Sequence, residues 1–118
     1  MPYHRAMSAE TVFADLSSEL AGAGASAGHL FGARALTLEG TAFACLHRDA
    51  IALKLGAGSP AHQQALGIRG AELWDPSGQQ HPFNDWVCIP VIENAELEET
   101  EIGDLAPAAL AFLATSRS

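Results

Sequence analysis

The chain has 118 residues, of which 48% are apolar and 17% charged, with a mean hydropathy of +0.11. That balance excludes an intrinsically disordered segment and suits a single domain over 1–118, able to bury roughly two thirds of its surface without staples. One lysine and five arginines against 14 carboxylates leave a net charge of −8, which excludes phosphate-driven nucleic-acid binding and disfavours an anionic membrane surface.

The first predicted element is a helix. Val12, Phe13, Leu16 and Leu20 recur at helical spacing behind Ser8, a good N-cap, while Glu10, Asp15 and Glu19 fall off the stripe. It should end near residues 21–23. The run AGAGASAG, residues 21–28, holds too much glycine for a helix and reads as a short flexible connector. Three strands are predicted next, at 34–38, 41–47 and 50–55, with turns at Glu39-Gly40 and Arg48-Asp49. Connections this short demand an antiparallel meander. Residues 56–58 break the third strand, and Ser59-Pro60 reads as an N-cap followed by proline at the first helical position, opening a helix over 60–66.

Gly67 and Gly70 flank a turn, a fourth strand is predicted at 71–74, and residues 75–83 form a turn-rich loop. The fifth strand, 86–92, contains Pro90, which predicts an edge position or a bulge. Residues 93–104 carry six carboxylates in twelve positions and read as a solvated acidic segment. Asp104 then caps a last helix with Leu105, Ala109, Leu110, Phe112 and Leu113 on its apolar face, in which Pro107 fits only within the first turn. The order α-β(3)-α-β(2)-α predicts a two-layer α+β domain with a five-stranded antiparallel sheet.

Strand alternation assigns the two sheet faces. A two-residue turn at Arg48-Asp49 sets Leu46 opposite Ile51, Ala44 opposite Leu53 and Ala42 opposite Leu55, an apolar face for the helices to cover. The other face then carries Phe43, Cys45, His47, Ala52 and Lys54. A tight turn at Glu39-Gly40 adds Leu36 and Arg34 to it. A partly apolar face without helices is expected to meet a partner, and a second copy of the chain is the first candidate.

No run of apolar residues is long enough to span a membrane, and the opening MPYHRAMSAE lacks a signal-peptide core. Cys45 and Cys88 each sit in an apolar run and read as reduced sheet residues, although a disulfide stays open. A cytoplasmic location follows, and abundant alanine with scarce lysine fits a GC-rich bacterial genome. Cys45 and His47 share a strand face, but His4, His29, His47, His62 and His81 show none of the paired spacings of zinc sites. Apolar neighbours would raise the Cys45 pKa and leave the thiol inert. GAGAS, residues 22–26, follows a helix and lacks the GK[ST] of a phosphate loop. No cofactor is expected. Trp74 and Trp86 bracket the loop and either close the core over its base or, with His81 and Lys54, rim a small-molecule pocket.

Several short strings occur in a suggestive order. They are His29-Leu30-Phe31-Gly32, then Gly40-Thr41-Ala42-Phe43-Ala44, then Lys54-Leu55, then ELWDP at 72–76, then Asp85-Trp86-Val87 with Pro90, and an alanine-rich final helix. The arrangement, over roughly residues 30–114, resembles the TfoX/Sxy N-terminal-domain family, which is related to the YjbR-like small domains. It departs from the family pattern at Leu30 (usually methionine), Thr41 (usually lysine) and Trp74 (usually phenylalanine), and in the length of the acidic segment. The resemblance implies the same α-β(3)-α-β(2)-α fold. The founding members regulate bacterial competence and carry a second, helical domain, so a competence role is not carried over.

Three functions are open from the sequence: a non-enzymatic interaction or regulatory module that forms a homodimer or meets another protein, a small-ligand binder or minor enzyme with a pocket at the two tryptophans, and a chaperone-like peptide binder. The candidate contact residues are Arg34, Leu36, Phe43, Cys45, Lys54, Trp74, His81 and Trp86. No catalytic residue is assigned.

Overall fold

In the computed structural model, which describes residues 9–30, 32–48, 50–68, 70–75, 83–90 and 98–116, the first helix, α1 (Ala9–Ala21), buries Ala9, Val12, Phe13, Leu16 and Leu20. These residues lie three or four apart, so one stripe of the helix faces the sheet while Glu10, Asp15 and Glu19 face water. The expected N-cap, Ser8, lies outside the described residues.

Gly24 takes a φ of +101° and turns the chain straight from the helix into a strand, β1 (Ala25–Leu30). This corrects the connector reading of residues 21–28. β1 pairs along its whole length with β2 (Ala33–Leu38), from Ala25 opposite Leu38 to Leu30 opposite Ala33. Its small residues are the reason it forms there. A Cβ on Gly28 would sit 2.9 Å from Thr37 Cγ2, so only glycine lets the Thr37 side chain lie across the strand. The strand exists through its partner and not through its own propensity.

β2, β3 (Thr41–His47) and β4 (Ala50–Lys54) form the expected meander. Glu39 and Gly40 both have positive φ, at 52° and 87°, the backbone of a tight hairpin turn whose twist matches the flanking strands. Ser59 caps α2 (Pro60–Leu66): its Oγ accepts from the His62 N–H at 3.1 Å and donates to the Leu55 carbonyl at 2.8 Å. Two further strands, β5 (Glu72–Trp74) and β6 (Phe83–Pro90), complete a six-stranded antiparallel sheet in the order β1-β2-β3-β4-β6-β5.

Among the described residues the architecture is therefore α+β, with six strands in place of the expected five. β6 is not an edge. It lies between β4 and β5, and Pro90 is accommodated because the β5 pairing has already ended at Glu72 opposite Cys88. The irregularity sits at its other end, where Leu73 pairs with Val87 but Trp74 pairs with Phe83. The last helix, α3 (Glu98–Ser116), begins earlier than expected, so Asp104 lies inside it and does not cap it. Pro107 is consequently an interior residue and leaves the Gly103 carbonyl without its i+4 donor.

The three helices among the described residues pack on one side of the sheet. The main core joins the α1 stripe, Ala65 of α2, and Leu105, Ala106, Ala109 and Leu113 of α3 to Leu36, Phe43, Ala44, Ile51, Leu53, Val87 and Ile89 of the strands. Leu46 opposite Ile51 and Ala44 opposite Leu53 hold as expected. Phe43, Leu36, Arg34 and Ala42 do not take their expected sides, and one bulge is the cause. Leu36 pairs with Ala44 and Thr37 with Ala42, so Phe43 is an extra residue in β3. In such a bulge two successive side chains share a face. Phe43 therefore joins Ala44 beneath the helices, Ala42 moves to the opposite face, and Leu36 follows its new partner into the core. Arg34 goes with Leu36, its guanidinium 5.4 Å from the centre of the Phe13 ring.

Candidate functional site

The helix-free face of the sheet carries its own small cluster, built around Cys45, Ala52, Trp74 and Trp86. Cys45 lies opposite Ala52 and Ala52 opposite Cys88, so three small side chains form a row across β3, β4 and β6. Small residues leave room for rings above them. The Trp74 and Trp86 ring centres are 4.9 Å apart, and Trp74 meets Phe83 edge-on at 6.0 Å and His47 edge-on at 5.7 Å. Trp74 is only 2% exposed and Cys45 and Ala52 are fully buried, so the centre of this face is covered by the chain's own aromatic residues.

Beside this cluster lies a cleft of about 420 Å³. Leu30, Thr41 and Ala42 line one side, Phe83, Asn84, Asp85 and Trp86 the other, and Lys54 lies between them. Lys54 reaches this face because it alternates with Ala52 along β4, and it sits opposite Trp86. Phe83 remains 37% exposed, an unusual position for a large aromatic side chain.

The Phe83–Trp86 wall is fixed from behind. The Asn84 carbonyl lies 2.7 Å from His62 Nε2, which donates to it from the buried inner face of α2. The Asp85 carbonyl accepts from the N–H groups of Leu55 and Gly56 at 2.8 and 3.1 Å, and Asp85 Oδ1 accepts from Ala57 N–H at 2.8 Å. The side chains on this wall therefore stand on a hydrogen-bonded frame. The sequence reading met His62 only among five scattered histidines and Asp85 only in the string Asp85-Trp86-Val87, and placed neither in a site. The one available signal was the Ser59-Pro60 helix start, which sets His62 and Ala65 on one face three residues apart.

Both cysteines are free. Two strand spacings separate them, about 9.6 Å between Cα atoms, too far for a disulfide. Burial pushes the Cys45 thiol up to about 11. Cys88 is also pushed to about 11, by burial first and then by the negative charges of Glu72 and Cys45. Both are protonated thiols at neutral pH and poor nucleophiles. Burial, with the nearby Arg48 charge, lowers the pKa of His47. Among the described residues no three His, Cys, Asp or Glu side chains gather to hold a metal ion.

Of the eight sequence candidates, Cys45, Lys54, Trp74 and Trp86 come together on this face, with Lys54 and Trp86 lining the cleft itself. Leu36 and Phe43 are buried in the helix-side core, and Arg34 lies over Phe13. His81 lies outside the described residues. No helix among the described residues is long and apolar enough to cross a membrane. Compared with known proteins, the chain matches no family model, no curated protein and no solved structure.

Proposed function

We propose that this chain is a non-catalytic binding module that takes a small molecule on the open face of its sheet. The observation that carries this reading is the cleft between Ala42 and Trp86, with Lys54 in it and the exposed Phe83 ring on its wall. A concavity in which apolar side chains stand beside a few placed polar groups, here Thr41, Lys54, Asn84 and Asp85, is a usual form of a small-ligand site. Two features favour binding over chemistry. The buried thiols hold their protons far above neutral pH, and Asp85, the carboxylate on the wall, is engaged with a main-chain N–H. A small molecule is favoured over a second copy of the chain because Trp74 already covers the centre of the face. The resemblance to the N-terminal domains of competence regulators is the basis for proposing a regulatory, cytoplasmic setting for this binding.

The test is a titration with three compounds of one shape: 2-naphthoate, 2-naphthamide and 2-naphthylmethylammonium. At least one should bind at 1:1 stoichiometry and shift the Trp86 indole N–H resonance. Ala42→Trp, which fills the cleft, should remove that binding in a variant whose circular dichroism is unchanged. Should this variant not fold, Thr41→Tyr narrows the same wall. If none of the three compounds moves the resonance, the reading is wrong.

A further inference from the structure

We propose that the ligand of this cleft is an apolar or aromatic monocarboxylate, its carboxylate held by Lys54 Nζ and its body lying against Phe83 and Trp86. This rests on the binding reading above and adds the chemical class.

Lys54 is the chain's one lysine, and it is half-buried. Among the described residues its side chain makes no ion pair and no hydrogen bond. It shares the cleft with the apolar Leu30, Ala42, Phe83 and Trp86 and with the polar Thr41, Asn84 and Asp85. The aliphatic stem packs along such surface, while the ammonium, with water partly excluded, lacks a counter-charge. An incoming carboxylate supplies one, in a setting where a charge-assisted hydrogen bond is stronger than a neutral one.

Asp85 limits the ligand to a single negative charge. It is the carboxylate on the cleft wall, and its Oδ1 is turned to the Ala57 N–H. The wall thus offers one cation without an ion-pair partner among the described residues and one carboxylate already engaged with the main chain. A monoanion pairs with Lys54, whereas a second negative charge finds no further cation among the described lining residues and faces both Asp85 and a chain of net charge −8. A phosphate monoester or a dicarboxylate is therefore disfavoured, and a cation meets Lys54 itself. The volume of about 420 Å³ admits a two-ring acid. Phe83, exposed at the wall, supplies a ring face for a flat ligand to cover.

The experiment is calorimetric titration of the full chain with 2-naphthoate, 2-naphthamide and naphthalene-2,6-dicarboxylate, repeated on Lys54→Met. Naphthoate should bind at least about tenfold more tightly than the isosteric amide, and more tightly than the dicarboxylate. In Lys54→Met, the preference for naphthoate over the amide should disappear. Lys54→Gln serves the same purpose should the methionine variant not fold. Equal binding of naphthoate and amide to the native chain overturns the monocarboxylate assignment and leaves the cleft standing as a binding site. A dicarboxylate that binds as tightly as naphthoate overturns the single-charge limit. Binding by none of the compounds overturns the cleft reading, and this proposal with it.

Discussion

Leu36 of β2 lies opposite Ala44 of β3, one residue beyond the position that the tight Glu39-Gly40 turn alone would give it. The residue left over is Phe43, which has no exposed surface and packs among the helices. One bulge thus moves the largest side chain of β3 from the face expected to meet a partner into the main core. Phe43→Ala should cost about 3–5 kcal/mol, the range for deleting a buried phenyl ring. Urea unfolding monitored by circular dichroism checks this, and a loss below about 1 kcal/mol would mean that Phe43 does not fill the core.

Gly56 adopts a φ of +89°, and a Cβ there would meet the Phe112 ring at 2.6 Å. Both strain and collision follow from any side chain, so Gly56→Ala should destabilise the fold by about 1–3 kcal/mol. Phe112→Leu should relieve the collision and leave the backbone strain. The double variant is therefore expected to lose less than the sum of the two single ones. Strict additivity in thermal unfolding would show that α3 does not press on this turn.

The thiols of Cys45 and Cys88 have folded-state pKa values near 11 against an ordinary 9.0. A raised folded pKa means that the native state holds these protons more tightly than the unfolded chain does. Their contribution is intact below about pH 9 and is lost as pH rises toward 11. The unfolding midpoint should fall across that window, and less so in the Cys45→Ala/Cys88→Ala variant. Alkylation by iodoacetamide near neutral pH should be slow in the native chain and fast in denaturant. Equal rates in both states would contradict the burial of the thiols.

His47 shows the opposite sign. Burial first, and Arg48 second, lower its pKa from 6.5, so the folded state resists protonation at this site. Its contribution to stability is present above pH 6.5 and is lost as pH falls below that value. Its ring lies edge-on to Trp74 at 5.7 Å, so protonation places a charge beside the aromatic cluster. Acidification from neutral pH should lower the melting temperature, and His47→Gln should flatten that dependence. A pH profile identical in the two proteins would exclude His47 as its source.

The readable parts of the fold are those set by local chemistry. The α1 stripe, the Ser59-Pro60 start of α2 and the bounds of β3 follow from spacing, capping and turn residues, and the structure places them as read. The pairing of Leu46 with Ile51 follows from a two-residue turn. Of the site, Lys54, Trp74 and Trp86 were legible as an isolated cation and a pair of large aromatic residues beside a turn-rich loop. Asp85 and His62 were not, because their partners are main-chain groups more than twenty residues away.

Tertiary structure decided the rest. β1 has no hydrophobic period of its own and forms because β2 offers it a row of unpaired main-chain groups and a threonine that fits over Gly28. The bulge at Phe43 leaves no mark in the composition of β3. It arises because the helix layer accepts a phenyl ring, and a period of two residues means that a single inserted residue moves its neighbours to the other face. Residue order determined which segments are helix and strand, β1 and the first turns of α3 apart. Which side of the sheet each side chain faces, and so what lines the cleft, was settled only when the layers packed.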